Sequence, residues 1–327
     1  MSSGRTGRRF GPPPTRTDEM MMSPPQTTFE LRPDHPILPE IKRILLEQVD
    51  LALYHLATPG LDEDKAVHEA RKAFKRIRAM LRLVRDVIGE EDFASLNARF
   101  RDAGRALSSV RTSAVLGETL EKLRERYPDA LSDAAMADVL ARLRAHHEAM
   151  REEVALGQAL LDQVANRVCA GRTQIENLPL SGNQFPASGL RRVYARGRRG
   201  LRSSQHEPSV ANFHEWRKRV KYLRYHVRIL IPAWPEVLTC LHQELVTLSE
   251  LLGVDHDLAE LHDTLSAHPE LGLQNRDQGR LPGLIETYRE ELETRSFHIG
   301  RRIYVEKPGD FVRRTEGVWR VWRQESG

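Results

Sequence analysis

Apolar residues recur at intervals of three and four along nearly the whole chain, beginning near Ile37. In the first such stretch they follow this spacing over Ile41–Leu56, and Thr58-Pro59-Gly60 comes directly after it. The spacing places apolar side chains on one face of a helix, which the Pro-Gly pair then ends. We therefore predict a first helix that ends at this break and a second helix over 62–88.

The same spacing predicts helices through most of the remaining chain. They lie at about 92–108, 112–126, 132–166, 187–203, 209–230, 235–252, 256–267, 281–305 and 310–323. No run alternates apolar and polar residues over the length of a strand, so the predicted fold class is all-α. The irregular stretch Asn177–Ser188 predicts a joint between a first half, 37–180, and a second half, 181–327.

Residues 1–36 differ in composition from the rest of the chain. They contain seven of its 18 prolines and five arginines, and few apolar residues. Such a segment has little apolar surface to bury. We predict a disordered or extended N-terminal tail.

One helical segment occurs twice, with the second copy 146 residues after the first. The first copy reads VHEARKAFKRIRAMLRL from Val67, and the second reads FHEWRKRVKYLRYHVRI from Phe213. The pattern H-x-x-R-K-x-x-K-x-x-R opens at His68 and again at His214. This repeat predicts two related helical bundles in tandem.

Positive charge is concentrated around these two copies. The chain has a net charge of only +4, yet 67–85 contains seven Lys or Arg and one acid, and 191–228 contains twelve and two. On a helical wheel, the cations of each copy form one stripe opposite an apolar face. A solvated helix face usually mixes acids with bases, whereas neither stripe contains an acid. The stripes favour binding of a polyanion, because arginine forks and lysine point charges both suit phosphate oxygens.

Other motifs, taken with the repeat, make the chain resemble the CHAD family, an α-helical domain named for its histidines. They are YARGRRGL at Tyr194, LGVDHDLAEL at Leu252, GRRIY at Gly300 and KPGDF at Lys307. The resemblance covers about residues 37–325. It implies two four-helix bundles related by a pseudo-twofold axis, with a basic groove or pore between them that binds inorganic polyphosphate.

The resemblance also implies which residues contact the ligand. In the first motif they are His68, Arg71, Lys72, Lys75, Arg78 and Arg82, and in the second they are His214, Arg217, Lys218, Lys221, Arg224 and Arg228. Tyr194, Arg198, Arg301 and Arg302 are further candidates. We expect the crowded positive charge to depress the pKa values of the two histidines.

Two other functions stay open at this point. The stripes could bind nucleic acid, although they lack the aromatic residues on which single-stranded bases stack. A metal-dependent phosphohydrolase could use Asp255-His256-Asp257, although a helix N-terminal cap at Asp255 or His256 is the simpler interpretation. No cluster of Asp or Glu accompanies the stripes and no phosphate-binding glycine loop occurs, so we expect no catalytic residues, metal or cofactor.

The cell compartment is predicted from features that the sequence lacks. No run of about 18 apolar residues predicts a membrane span, and the first 30 residues have no apolar core of a signal peptide. Cys169 and Cys240 are too few for a disulfide framework. We expect a cytoplasmic protein, associated with polyphosphate granules, whose partners are inorganic polyphosphate and secondarily other polyanions, with no membrane partner.

Overall fold

The computed structural model of the protein describes residues 24–58, 60–107, 112–130, 132–153, 158–273 and 279–326. Within these residues it contains twelve α-helices and no strand, so the all-α prediction is confirmed. The helices are α1 (Ile37–Ala57), α2 (Glu63–Leu83), α3 (Arg85–Ile88), α4 (Glu90–Ala106), α5 (Thr112–Arg126), α6 (Asp133–Glu153), α7 (Gln158–Glu176), α8 (Ala187–His206), α9 (Val210–Leu230), α10 (Pro235–Ala267), α11 (Arg280–Ile303) and α12 (Pro308–Glu325). The irregular joint predicted between the halves corresponds to the loop between α7 and α8.

The helix boundaries differ most from the predicted ones in α10. The predicted helices 235–252 and 256–267 form one continuous helix, with Gly253 near the predicted break. A mid-helix glycine costs about 1 kcal/mol relative to alanine. A Cβ at this position would lie 3.4 Å from Arg217 Nη2, which is an ordinary van der Waals distance. The predicted helix 132–166 is described as α6 and α7, and 154–157 lie outside the described residues.

Two hydrophobic cores hold the helices together. The larger joins α1–α4 and α7–α9 to the first half of α10 and to α12, with Phe74, Phe100 and Trp216 fully buried. The smaller joins α5 and α6 to the second half of α10 and the first half of α11, around Leu120 and Leu261. Both predicted halves of the chain therefore contribute to both cores.

The repeated helices α2 and α9 lie against each other inside the larger core. Each begins with a side-chain cap, since Asp62 and Ser209 accept a hydrogen bond from a backbone N–H three residues later. Further along, the buried His226 donates from Nε2 to the Ala79 carbonyl at 2.8 Å. Burial lowers the pKa of His226 to about 4, so it is a neutral structural link between the two helices.

The segment that precedes α1 contacts the helices between Thr28 and His35, within the tail that was predicted to be disordered or extended. Leu31 is only 4% exposed, and its backbone N–H donates to the Ile229 carbonyl at 3.0 Å. The side chain of Arg32 forms an ion pair with Glu40 at 3.0 Å. Leu31, the partly buried Phe29 and these polar contacts fix a segment whose composition offers little apolar surface. Residues 1–23 lie outside the described residues.

α10 stands out among the described helices by its hydropathy. By length and composition alone it could cross a membrane, although the sequence contains no unbroken apolar run of that length. Its apolar residues serve both cores, with Leu245 in the larger and Leu258 in the smaller.

Candidate functional site

A groove of about 620 Å³ lies between α2, α4, α9 and α10. Ten of its lining residues are Lys or Arg, and three are Asp or Glu. The basic residues are Arg71, Lys75, Arg78 and Arg82 on α2, Arg101 and Arg105 on α4, and Arg217, Lys218, Arg219 and Lys221 on α9. Cations from both copies of the repeated segment thus face one common space.

The α2 wall of the groove holds its arginines with uncharged acceptors. Asn97 Oδ1 accepts from Arg78 Nε at 3.1 Å and from Arg82 Nη2 at 2.9 Å. Arg71 donates from Nη1 to the Gly104 carbonyl. Such acceptors orient a guanidinium group without cancelling its charge. Burial lowers the pKa of Arg82 to about 10, which still leaves it positive at neutral pH.

The α9 wall carries charge that is partly compensated or suppressed. The Glu215 carboxylate lies 2.5 Å from Lys218 Nζ and 2.9 Å from Arg219 Nη2. Burial, together with neighbouring cations such as Arg217, lowers the pKa of Lys221 to about 6. Lys221 is therefore mostly neutral at pH 7, and a bound anion would favour its charged form.

Two histidines meet at the groove, one from α9 and one from α10. The ring centroids of His214 and His256 are 4.4 Å apart, and His256 Nε2 lies 3.2 Å from a Glu260 oxygen. The pKa of His214 falls to about 4, mainly because of burial and further because of His256 and nearby cations. The predicted depression is confirmed for this histidine, but burial exceeds the effect of the positive charge.

α10 also brings carboxylates into the groove. Asp257 and Glu260 both line it, so the cations of the two stripes share the groove with carboxylates from another helix. Burial raises the pKa of Asp257, and the charge of Arg217 opposes that rise. Asp255 is instead buried in the middle of α10, 3.0 Å from Arg289 Nε, so the prediction of a helix N-terminal cap is wrong.

Asp255 and Asp257 therefore have separate surroundings and do not form a paired site. Among the residues that the structure describes, no group of three or more His, Cys, Asp or Glu is placed to hold a metal ion.

Four predicted contact residues of the two stripes do not line the groove, namely His68, Lys72, Arg224 and Arg228. Lys72 Nζ lies 3.3 Å from the glutamate three residues before it. The Arg224 guanidinium lies over the Tyr225 ring at 4.9 Å. Arg228 forms an ion pair with Glu30 at 2.6 Å. Neighbouring side chains therefore occupy the ends of the stripes.

The weaker candidates outside the stripes do not line the groove either. Tyr194 is fully buried, where its hydroxyl donates to the Ile303 carbonyl at 2.9 Å and its ring stacks on Phe311 at 4.2 Å. It is a core residue, so the prediction of ligand contact is wrong. Arg198 is half-buried on α8, and Arg301 and Arg302 are exposed at the end of α11.

Sequence reasoning missed several groove residues. Arg101 and Arg105 lie one turn apart on α4, outside both stripes, and their i,i+4 spacing was the only available signal. Arg219 falls toward the apolar side of the α9 wheel, yet it reaches the groove beside Glu215. The Arg82 guanidinium lies over the buried Tyr222 ring, 4.2 Å from the ring centroid. Tyr222 thus supports Arg82 by a cation–π contact.

Comparison with known proteins finds a matching family and a similar fold. The family model described as "CHAD domain" matches residues 43–266. The solved structure of PptA from Streptomyces chartreusis has a similar fold, with a TM-score of 0.53 and 15% sequence identity. That similarity covers 88% of this chain and 100% of the other. No curated protein matches the chain in sequence.

Proposed function

This chain belongs to the CHAD family, and we propose that it binds inorganic polyphosphate in the groove without chemically changing it. The observation that carries the proposal is the lining of the groove, with ten Lys or Arg against three acids. So many cations in one cavity repel one another, and an anionic ligand relieves that repulsion. The resemblance noted in the sequence supplies the identity of the anion.

Polyphosphate is a linear polymer with charge on every unit and no base or sugar. A binder needs closely spaced cations on a rigid support, which helices supply at about 1.5 Å per residue. Each contact adds little, but many together release counterions from the polymer and raise the affinity. The geometry of the groove therefore suits a bare polyanion.

Nucleic acid is the main competing ligand, and the aromatic residues of the groove disfavour it. Tyr222 and Tyr225 are only 8% and 7% exposed. Both lie beneath arginines, at Arg82 and Arg224, instead of offering a free ring face. Proteins that bind single strands usually stack bases on exposed aromatic rings.

Binding without catalysis is part of the same proposal. Phosphoryl transfer depends on metal ions held beside the reacting phosphate. In the groove, Glu215 is instead paired with Lys218 and Arg219. Glu260 is in contact with His256. We therefore assign them to adjusting the charge of the groove.

We further propose that the groove lies between two four-helix bundles related by a pseudo-twofold axis. Two observations support this arrangement. One set of four helices packs together and consists of α1, α2, α4 and α7. A second set consists of α8, α9, α10 and α11, each packed on the next. The repeated α2 and α9 lie side by side where the two sets meet. For the cell, we propose a cytoplasmic protein that associates with polyphosphate granules.

A competition experiment tests the ligand and the chemistry together. Labelled long-chain polyphosphate is bound at about 0.15 M salt, where the Debye length is about 8 Å and weak attraction is screened. Single-stranded RNA is then added at equal phosphate concentration, and free phosphate is assayed in parallel. We expect polyphosphate to stay bound and no phosphate to appear. Equal displacement by RNA would make the groove a general polyanion site, and phosphate release would make the protein an enzyme.

A further inference from the structure

The segment before α1 lies on the C-terminal end of the α9 stripe. Glu30 places a carboxylate oxygen 2.6 Å from Arg228 Nη1. Its neighbour Phe29 meets Tyr225 edge-on, with ring centroids 5.9 Å apart, and the Arg76 guanidinium lies over the Phe29 ring at 5.3 Å. The segment precedes the part of the chain that matches the family, residues 43–266.

Beneath this segment the positive charge of the groove continues. Arg76, Arg224 and Arg228 are close enough for the two α9 arginines to lower the pKa of Arg76, after the larger effect of burial. Burial lowers the pKa of His242 to about 4, and the charges of Arg228 and Arg224 lower it further. Tyr225 lines the groove and touches Phe29, so the covered cations begin where the groove ends.

The backbone of the segment is anchored, because Arg43 Nη2 donates to the Glu30 carbonyl at 2.7 Å and Arg43 Nη1 donates to the Thr28 carbonyl at 3.2 Å. The part that a ligand can displace is the Glu30 side chain. Leu31 is buried and hydrogen-bonded to Ile229, which fixes one end. The Glu30 side chain is 38% exposed and its partner Arg228 is 39% exposed. Ion pairs with this exposure are weak, so a polymer with many charges can displace the carboxylate.

We propose that Glu30 determines which chain lengths the protein prefers, by occupying Arg228 until a polyphosphate chain long enough to reach it takes its place. This inference rests on the proposed function. Lys221, in the groove, and Arg228 are seven residues apart on α9, which corresponds to about 10 Å along the helix axis. A short chain held in the groove leaves the Glu30–Arg228 pair intact. A long chain replaces the carboxylate with phosphate and gains a further contact.

The test measures affinity for tripolyphosphate and for long-chain polyphosphate in the full-length wild type, Glu30→Gln and Glu244→Gln. Glu244 is an exposed acid on α10, so its replacement removes the same charge without touching the stripe. We expect Glu30→Gln to bind the long chain about twofold to fivefold more tightly, the range that an exposed ion pair is worth. Its affinity for tripolyphosphate should equal that of the wild type, and Glu244→Gln should match the wild type for both ligands.

Three outcomes would overturn the assignment. They are an unchanged long-chain affinity in Glu30→Gln, an equal gain for both chain lengths, and an equal gain in Glu244→Gln. A wild type that binds neither ligand would instead refute the proposed function.

Discussion

The repeated helices α2 and α9 share a sequence pattern but present different electrostatic surfaces to the groove. Arg78 and Arg82 of α2 rest on the neutral Asn97 side chain and keep their charge. On α9, by contrast, Lys218 is paired with Glu215, and Lys221 is largely deprotonated at neutral pH. α2 thus supplies permanent charge, whereas much of the charge on α9 is compensated by Glu215 or has to be recruited by a ligand.

The largest test of this difference compares matched pairs of substitutions. Arg78→Gln with Arg82→Gln removes two permanent charges from α2, and Lys218→Gln with Arg219→Gln removes two compensated charges from α9. A hydrogen bond to a charged group is worth about 1.5–3 kcal/mol. We therefore expect the α2 pair to weaken polyphosphate binding about 100-fold or more, and the α9 pair about threefold, in calorimetric titrations.

The control for this comparison is the helical signal in circular dichroism, which should be unchanged in both double variants. Equal losses of affinity from the two helices would contradict the distinction between permanent and recruited charge.

A second prediction concerns pH and addresses α9 alone. Lys221 has a pKa of about 6 in the free protein, and a bound phosphate should raise it. At a pH between the pKa values of the free and the bound protein, Lys221 gains a proton on binding. Affinity should therefore fall by up to about tenfold per pH unit as the pH rises above about 6. Lys221→Gln should have a flatter profile over the same range, measured at constant ionic strength.

Calorimetry in two buffers of different ionisation enthalpy would count the proton directly. If wild type and Lys221→Gln take up the same number of protons at pH 7, then Lys221 is not the recruited charge.

The smallest expected effect concerns the aromatic support that only one copy provides. Tyr222 of α9 lies beneath Arg82, and the equivalent position of α2 is Arg76. A partly desolvated cation–π contact is worth about 1 kcal/mol. We expect Tyr222→Leu to weaken polyphosphate binding about fivefold, and Tyr222→Phe to retain wild-type affinity because it keeps the ring. A loss in Tyr222→Phe equal to that in Tyr222→Leu would assign the effect to the hydroxyl group.

Periodicity alone predicted the two walls of the groove, because a helix with one apolar face must turn its cations away from the core. It could not predict which cations stay charged, since the deciding partners come from distant segments. Asn97 lies on α4 and Glu30 lies before α1. Neither belongs to the repeat, and neither has a spacing that links it to Arg82 or Arg228.

The errors have the same origin. Tyr194 shares a helix face with arginines, but only the packing of α12 against α8 shows that it is buried on Phe311. Asp255 was predicted to lie at a helix end, whereas α10 runs through it without a break from Pro235 to Ala267. A wheel drawn for one helix contains no information about its neighbours.

The smaller core has a consequence for how the protein folds. Among the described residues, the buried side chains that the first half contributes to that core come from α5 and α6, while the others come from α10, α11, Leu271 and Leu273. A chain cut in the loop between α7 and α8 would leave the apolar faces of α5 and α6 without a partner. The smaller core should therefore re-form only when the two fragments are mixed.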